Sequence, residues 1–264
     1  MAGDHRAGPG AAATRARHRG SYDDARTVVM RDLLLSVVSA LTSQSGREQL
    51  DIIDAGGGTG GFAVPLAGRG HRVTVIDPSP DSLAAAQRRA AEMGVSLRAV
   101  QGDAADLVGL AGAESADLVL CHSVLEYVDS PAAAMAAIAG VLRPGGTVSV
   151  LAASAVAAVI HRALAGRFDE ARRLLAGLGG GVTGPAAADS ARGFTLAEVV
   201  GLLEDAGLRP GTTHGIRVFA DLVPGIFADA DPAAADALLA LERSASAHPA
   251  FHDLATLFHV LGYR

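Results

Sequence analysis

Residues 54–62, "DAGGGTGGF", decide the fold of this chain. They follow the apolar pair Ile52 and Ile53, and glycines placed between a strand and a helix let the backbone pass close to a ligand. A helix that begins after such a loop presents unpaired N–H groups to that ligand. The stretch therefore predicts a ligand-binding loop at the end of a strand in an α/β sheet.

The glycine spacing fits two kinds of ligand. Gly56, Gly58 and Gly61 satisfy G-x-G-x-x-G, the fingerprint of dinucleotide-binding loops. Asp54 stands two residues before Gly56, and Gly60 extends the run to an acid-x-G-x-G-x-G pattern. The loop alone does not distinguish these ligands, so the remainder of the chain has to.

Composition bounds the class of protein. The chain has 264 residues, half of them apolar, which suffices for one large domain or a domain with an inserted lid. The net charge of -6 excludes a surface that is basic throughout, although a local basic cleft remains compatible with it. Cys121 is the only cysteine, which excludes an internal disulfide and a Cys-rich zinc site. We predict no metal and no membrane span, since no apolar run reaches about 18 residues.

The N-terminal residues 1–20 are small and basic, without the apolar stretch of a secretory signal. They predict a disordered tail; the alternative is a loose electrostatic arm for an anionic partner. We expect one domain over residues 21–264 in a cytoplasmic protein.

Short apolar strands alternate with helices after residue 50, which predicts a parallel sheet covered by helices on both faces. Ser79 with Pro80 is typical of a helix start, and Thr195 with Glu198 matches a capping box. The late segments "THGIRVFADL" and "TLFHVLGYR" predict two further strands. We therefore expect a Rossmann-like seven-stranded α/β sheet with an antiparallel edge and a small helical lid at about 153–194.

Acidic residues at strand ends indicate the ligand. Asp77 ends the second strand about 20 residues after the first loop glycine, where a carboxylate accepts the ribose hydroxyls of an adenosine. Asp54 would repel a pyrophosphate but tolerates a sulfonium cation. After the third strand, Asp103 can accept from an adenine amine, while Ala104 and Ala105 leave room for the ring. These features favour S-adenosylmethionine over a nicotinamide dinucleotide.

Two later stretches carry a family resemblance. Together with the features above, "SADLVLCHSVLEYVDSP" (115–131) and "VLRPGGTVSVL" (141–151) resemble the class I S-adenosylmethionine-dependent methyltransferases. The segments "AGRGHRV", "AGRFDEA", "GIRVFAD" and "FHV" are similar to the methyltransferases that esterify 5-carboxymethoxyuridine at the tRNA wobble position. This resemblance implies S-adenosyl-L-methionine as the cofactor and tRNA as the partner.

The resemblance also implies cofactor contacts at matching positions. These are Arg26 in the first helix, Gly56 and Gly57 in the loop, Asp77, Ala104, Ala105 and His122. Our own reading of the strand ends and the loop adds Asp54, Gly58, Gly60 and Asp103 to the predicted cofactor site.

The acceptor determines which further groups are needed. A carboxylate is already ionised and needs a cation to orient it, for which Arg217 is our candidate. Tyr127 could stack on a base. A hydroxyl or amine acceptor would need a general base. The candidate bases are His122, which is the best placed, His161, His214 and His259.

One departure keeps the acceptor open. The bacterial tRNA enzymes carry a lysine-rich run where this chain has "GLGGGVTGPAAADSARG" (177–193), and lost cations mean lost phosphate contacts. The arginines that remain nearby are Arg162, Arg167, Arg172, Arg173 and Arg192. The alternatives are a small-molecule carboxylate or hydroxyl acceptor and an inactive adenosine-binding regulatory module. The sequence predicts no oligomeric state.

Overall fold

The computed structural model describes residues 28–178, 192–224 and 232–264. The predicted tail, Arg26 and part of the predicted lid lie outside these residues. The described chain forms the predicted seven-stranded sheet, and its strand order is β3-β2-β1-β4-β5-β7-β6. The strands are β1 (Asp51–Ala55), β2 (Arg72–Asp77), β3 (Arg98–Gln101), β4 (Ala116–His122), β5 (Leu142–Ala153), β6 (Arg209–Ile216) and β7 (Leu257–Tyr263).

Helices connect most of these strands, and the first described residues already belong to one. In chain order they are α1 (28–45), α2 (Ala63–Ala67), α3 (Pro80–Glu92), α4 (Leu107–Ala111), α5 (Pro131–Val141), α6 (Ala155–Leu164), α7 (Phe168–Gly177), α8 (Leu196–Asp205) and α9 (Pro232–Ser246). Within the described ranges, none of them is long and apolar enough to cross a membrane.

Helices cover both faces of the sheet because successive strand residues point to opposite sides. In β1, Ile52 packs in one apolar cluster with Met30 of α1. Its neighbour Ile53 packs in the other cluster with Met135 and Ile138 of α5. Burial on both faces explains why the central strands are apolar almost without interruption.

The reversed strand is one place further in than predicted. β7 pairs antiparallel with both β5 and β6, so the edge strand is β6 and β7 lies inside it. The chain leaves β6 and enters β7 at the same end of the sheet, and two strands connected in this way run antiparallel.

The predicted helix starts are confirmed. The Ser79 hydroxyl accepts the N–H of Ser82 at 3.2 Å, and Pro80 is the first residue of α3. Thr195 and Glu198 exchange side-chain and backbone hydrogen bonds at the start of α8. Both signals are local, so the surrounding fold does not alter them.

The limits of β6 differ from the prediction, and α9 was not anticipated. β6 begins at Arg209 and ends at Ile216, whereas the predicted strand continues through the residues that follow Ile216. The next amides, of Val218, Phe219 and Ala220, all donate to the carboxylate of Glu242 in α9, at 2.6–2.9 Å. Because these N–H groups are engaged by α9, they do not extend the sheet.

Candidate active site

The glycine loop after β1 has backbone angles that favour glycine. Gly56, Gly58 and Gly60 have φ values of 65°, 53° and 76°, in the left-handed region. A Cβ on Gly56 would lie 2.5 Å from Cγ2 of Val124, which follows β4. The loop after β1 is therefore packed directly against the loop after β4.

Asp54 lies immediately beneath this loop. A Cβ on Gly57 would stand 2.6 Å from both Cγ and Oδ2 of the Asp54 side chain, which is 3% exposed. Burial, and then the negative charge of Asp77, raise the pKa of Asp54 to about 7. A cation placed at this carboxylate would stabilise its ionised form.

Asp77 is held in one orientation by two backbone amides. Its Oδ2 accepts the N–H of Gly58 at 2.9 Å, and its Oδ1 accepts the N–H of Ser79 at 2.9 Å. Each carboxylate oxygen keeps the capacity for another hydrogen bond. The carboxylate is thus fixed with acceptor capacity left for a ligand.

The segment after β3 lies beside Asp77. Gly102 donates its N–H to the Asp77 carbonyl at 3.3 Å. Asp103 then caps a short 3-10 helix by accepting the N–H of Ala105 at 2.9 Å. Ala104 is buried and Ala105 is exposed, so the two predicted adenine-facing alanines differ in their accessibility.

His122 ends β4 and packs against Phe62, which follows the glycine loop. Its ring meets that of Phe62 edge to face, with the centroids 5.2 Å apart. Its Nε2 lies 2.8 Å from the hydroxyl of Ser149 in β5. Nearby, Glu126 accepts the N–H of Ala153 at 2.6 Å and so ties the loop after β4 to the end of β5.

Arg217 follows the last residue of β6, at the end of the sheet where His122 ends β4. Its φ is 60°, its side chain is 20% exposed, and its guanidinium pairs with Asp221. The other oxygen of Asp221 accepts the Thr256 hydroxyl at 2.6 Å. Thr256 therefore holds the Asp221 carboxylate, and that carboxylate in turn holds the Arg217 guanidinium. Tyr127, 75% exposed, is not part of the core.

The remaining candidate bases lie on α6, β6 and β7. His161 is in the last turn of α6, while His214 and His259 are register partners in β6 and β7. Cys121 is fully buried, and that burial raises the pKa of its thiol. The described residues include no group of three or more His, Cys, Asp or Glu able to hold a metal.

Sequence reasoning missed Ser149, Glu242 and Asp221. Ser149 interrupts the apolar run "TVSVL", and Glu242 is the only acid in "ALLALERSAS". An isolated polar residue in an apolar stretch was the available signal. For Ser149 and Glu242 it could not identify the partner, which lies on another element, and Asp221 left no such signal although Arg217 is only four residues away.

A family model described as "Methyltransferase domain" matches residues 53–150. The chain is 31% identical over 205 residues to the tRNA 5-carboxymethoxyuridine methyltransferase of Escherichia coli strain K12, covering 77% of this chain and 76% of that enzyme. It is 35% identical over 170 residues to the ubiquinone biosynthesis O-methyltransferase of Methylobacterium nodulans, covering 64% of each.

Solved structures support the fold. The magnesium protoporphyrin IX methyltransferase of Synechocystis PCC 6803, with S-adenosylhomocysteine bound, matches with a TM-score of 0.58. That match is 17% identical and covers 99% of this chain and 90% of the other. A methyltransferase from Methanosarcina mazei matches with a TM-score of 0.54, at 16% identity over 83% and 93% of the two chains.

Proposed function

The chain belongs to the class I S-adenosylmethionine-dependent methyltransferases, and from that premise we propose that it esterifies the carboxylate of 5-carboxymethoxyuridine at the tRNA wobble position. The observation that carries this proposal is the extent of the similarity to the tRNA enzyme. The matching methyltransferase domain spans residues 53–150, whereas that similarity covers 205 residues. It must therefore include residues outside the domain that methyltransferases share.

We place the cofactor in the crevice at the carboxyl ends of β1, β2 and β4, where the residues fit a cationic adenosine. When bound, S-adenosylmethionine supplies a methyl group carried on a sulfonium. Asp54 offers a buried carboxylate beneath Gly57, and Asp77 offers oriented acceptor capacity for ribose hydroxyls. Two acidic groups in one crevice suit a cation and would repel a pyrophosphate.

We assign the cofactor contacts to the predicted positions at the strand ends. Asp54, Gly56, Gly57, Gly58 and Gly60 would form the loop side, Asp77 the ribose contact, Asp103, Ala104 and Ala105 the adenine side, and His122 a contact from the end of β4. Arg26 remains a proposal on sequence resemblance, since it lies outside the described residues.

Arg217 would orient the acceptor. A carboxylate acceptor is ionised at neutral pH, so alignment with the methyl donor is the main requirement, and alignment alone can supply effective molarities of roughly 10⁵–10⁸ M. The planar guanidinium donates two parallel hydrogen bonds to a carboxylate. Asp221 and Thr256 fix it at the carboxyl end of β6, and the exposed Tyr127 could stack on the base.

The hairpin of α6 and α7 offers cations for tRNA phosphates. Arg172 and Arg173 are exposed on α7, and Arg162 forms an ion pair with Glu170 at 3.0 Å. Each phosphate contact releases counterions and makes binding dependent on salt. We propose that this hairpin is a lid beside the acceptor, within an insertion at about 153–194, in a cytoplasmic protein.

The test is a labelling assay on bulk tRNA. Purified protein with methyl-labelled S-adenosylmethionine should label wobble nucleosides only in tRNA that contains carboxymethoxyuridine. The label should be lost on mild alkaline treatment, because an ester hydrolyses and an ether does not. Unlabelled wobble nucleosides in carboxymethoxyuridine-containing tRNA would refute the proposed substrate.

Two variants examine the role of Arg217. Arg217→Lys keeps the charge but loses the fork, so kcat/KM for tRNA should fall about 10–100-fold at unchanged cofactor affinity. Arg243→Lys is the matched control, because Arg243 forms an exposed ion pair with Asp32. Equal rates for the two variants would remove Arg217 from the acceptor site.

A pair of double variants tests the tRNA contact. Arg172→Glu with Arg173→Glu should weaken tRNA binding and flatten its salt dependence. Arg88→Glu with Arg89→Glu makes the same charge change at exposed positions on α3 and should have a smaller effect. Equal losses would indicate a general charge effect.

A second candidate is a small-molecule hydroxyl acceptor, favoured by the similarity to ubiquinone biosynthesis O-methyltransferases. A hydroxyl requires a general base, and His122 at the end of β4 could serve. Label recovered only in a small-molecule extract, and stable to alkali, would favour this candidate.

A further inference from the structure

Four polar side chains form a continuous row across β4, β5, β7 and β6. His122 Nε2 lies 2.8 Å from Ser149 Oγ, and the same oxygen lies 2.8 Å from Nε2 of His259. His259 Nδ1 lies 3.2 Å from Nδ1 of His214. Leu151 lies two residues after Ser149 on the same face of β5 and belongs to the apolar cluster shared with α1, so the row lies on the α1 side of the sheet.

The row is buried, so its hydrogen bonds are required. Ser149 and His259 are fully inaccessible, and polar groups buried without partners are strongly destabilising. Burial, followed by the charges of His122 and His214, lowers the pKa of His259 well below its ordinary value. Burial and the neighbouring His252 also lower the pKa of His214. His259 and His214 are thus neutral near pH 7, with one N–H each.

With one N–H on His259 and one on His214, a row in which His122 is also neutral has only two arrangements of its hydrogen bonds. In the first, His214 donates to His259, His259 donates to Ser149, and the Ser149 hydroxyl donates to Nε2 of His122. The second reverses every bond, so that His122 donates from Nε2 and His259 donates from Nδ1 to His214. A change of tautomer at His122 or at His214 must therefore reverse every hydrogen bond of the row.

We propose that Ser149, His259 and His214 are positioning residues that set the tautomer with which His122 meets the cofactor. The inference rests on the proposed contact between His122 and the cofactor. The acidic crevice suits a cationic ligand, and a cation is attracted by a lone pair and repelled by an N–H. In the bound state His122 should therefore face the ligand with an unprotonated Nδ1. That choice selects the second arrangement, with the proton on Nε2 of His122.

The row also connects the two ends of the proposed site. His214 lies three residues before Arg217, at the carboxyl end of β6. Cofactor binding at His122 would therefore be communicated across four strands to the strand that leads into the acceptor-orienting arginine. No movement of the backbone is needed: each proton shifts along its hydrogen bond, one proton is released from Nδ1 of His122, and one is taken up from water at Nε2 of His214.

The experiment measures ring tautomers directly. The full chain is labelled with ¹⁵N-histidine, and long-range ¹H–¹⁵N spectra are recorded with and without S-adenosylhomocysteine. With this probe, His122 should carry its proton on Nε2, His259 on Nδ1 and His214 on Nε2. Bound spectra showing the opposite tautomers at His259 and His214 would overturn the proposal, and this comparison needs no variant.

A variant at the far end tests the coupling. His214→Phe removes the partner of His259 Nδ1; since an unpaired buried N–H costs more than an unpaired lone pair, the His259 proton should move to Nε2. His122 should then carry its proton on Nδ1, and affinity for S-adenosylhomocysteine should fall about tenfold. His248→Asn, at an exposed position outside the row, should leave both unchanged.

The outcomes separate the inference from the proposed function. If His214→Phe leaves the His122 tautomer as in the wild type, the coupling is wrong while the methyltransferase proposal stands. If S-adenosylhomocysteine binds without altering any His122 signal, the proposed His122 contact fails, and the inference fails with it. Absence of tRNA labelling would refute the proposed acceptor without altering the tautomer result.

Discussion

The proposed cofactor half of the sheet, β3-β2-β1-β4, and the proposed acceptor half, β5-β7-β6, are held by contacts of different range. In the cofactor half, the decisive hydrogen bond joins Gly58 to Asp77, across one βα unit. In the acceptor half, Ser149 bonds to His259, 110 residues away, and the turn after β6 is held by Glu242 of α9. A short-range contact can be recognised as a motif in the sequence. A long-range contact is visible there only as an isolated polar residue.

The largest expected effect is a loss of stability caused by a change in the acceptor half alone. Glu242→Ala leaves the N–H groups of Val218, Phe219 and Ala220 without their acceptor, so the free energy of unfolding should fall by about 3–5 kcal/mol. Glu204→Ala, at an exposed position on α8, is the control. Denaturant unfolding measures both; a loss below about 1 kcal/mol for Glu242→Ala would contradict this role.

The next effect concerns the cofactor half. Gly56→Ala combines a left-handed backbone with contact against Val124, and should weaken S-adenosylhomocysteine binding by about 2–4 kcal/mol. Gly46→Ala shares nearly the same φ, 66° against 65°, but meets nothing within 4 Å. Calorimetric titration should show near wild-type affinity for Gly46→Ala; equal losses would mean that backbone strain, not packing, is responsible.

A smaller effect concerns Asp54, whose ionisation should change the free energy of unfolding and the cofactor affinity in opposite directions. Its raised pKa, about 7, means that the folded state binds the proton more tightly than the unfolded one. Stability is therefore lost as pH rises from about 4 through 7, and Asp54→Asn should raise the free energy of unfolding by about 1–2 kcal/mol at pH 8. The gain should vanish near pH 4.

Cofactor affinity should respond in the opposite direction. Wild-type affinity for S-adenosylmethionine should rise between pH 6 and 8 as Asp54 ionises, and Asp54→Asn should remove most of that rise. Asp81→Asn, at an exposed position in the first turn of α3, should retain it. Titrations at several pH values decide, and a rise that persists in Asp54→Asn would assign it to another group.

The smallest effect tests a local signal outside the cofactor half. Thr195→Ala removes the N-cap of α8 and should lower the free energy of unfolding by about 1 kcal/mol. Thr212→Ala, exposed on β6, should change it by less than about 0.5 kcal/mol. If thermal unfolding gave the same shift for both, the cap would not contribute in this fold.

The sequence by itself determined the sheet, its helices on both faces, the glycine loop and the acid at the end of β2. Each depends on a periodicity or spacing within one βα unit, which short-range sterics and hydrogen bonding fix. Ser79 and Thr195 show the same for helix starts, since their partners lie three residues away.

Only the tertiary structure decided the place of β7, the end of β6 and the partners of Ser149 and Glu242. It also raised the pKa of Asp54, because the desolvation of a carboxylate depends on every element packed around it. Such properties arise from strand order and burial, where residues far apart in the chain become neighbours. No local pattern encodes which of them will meet.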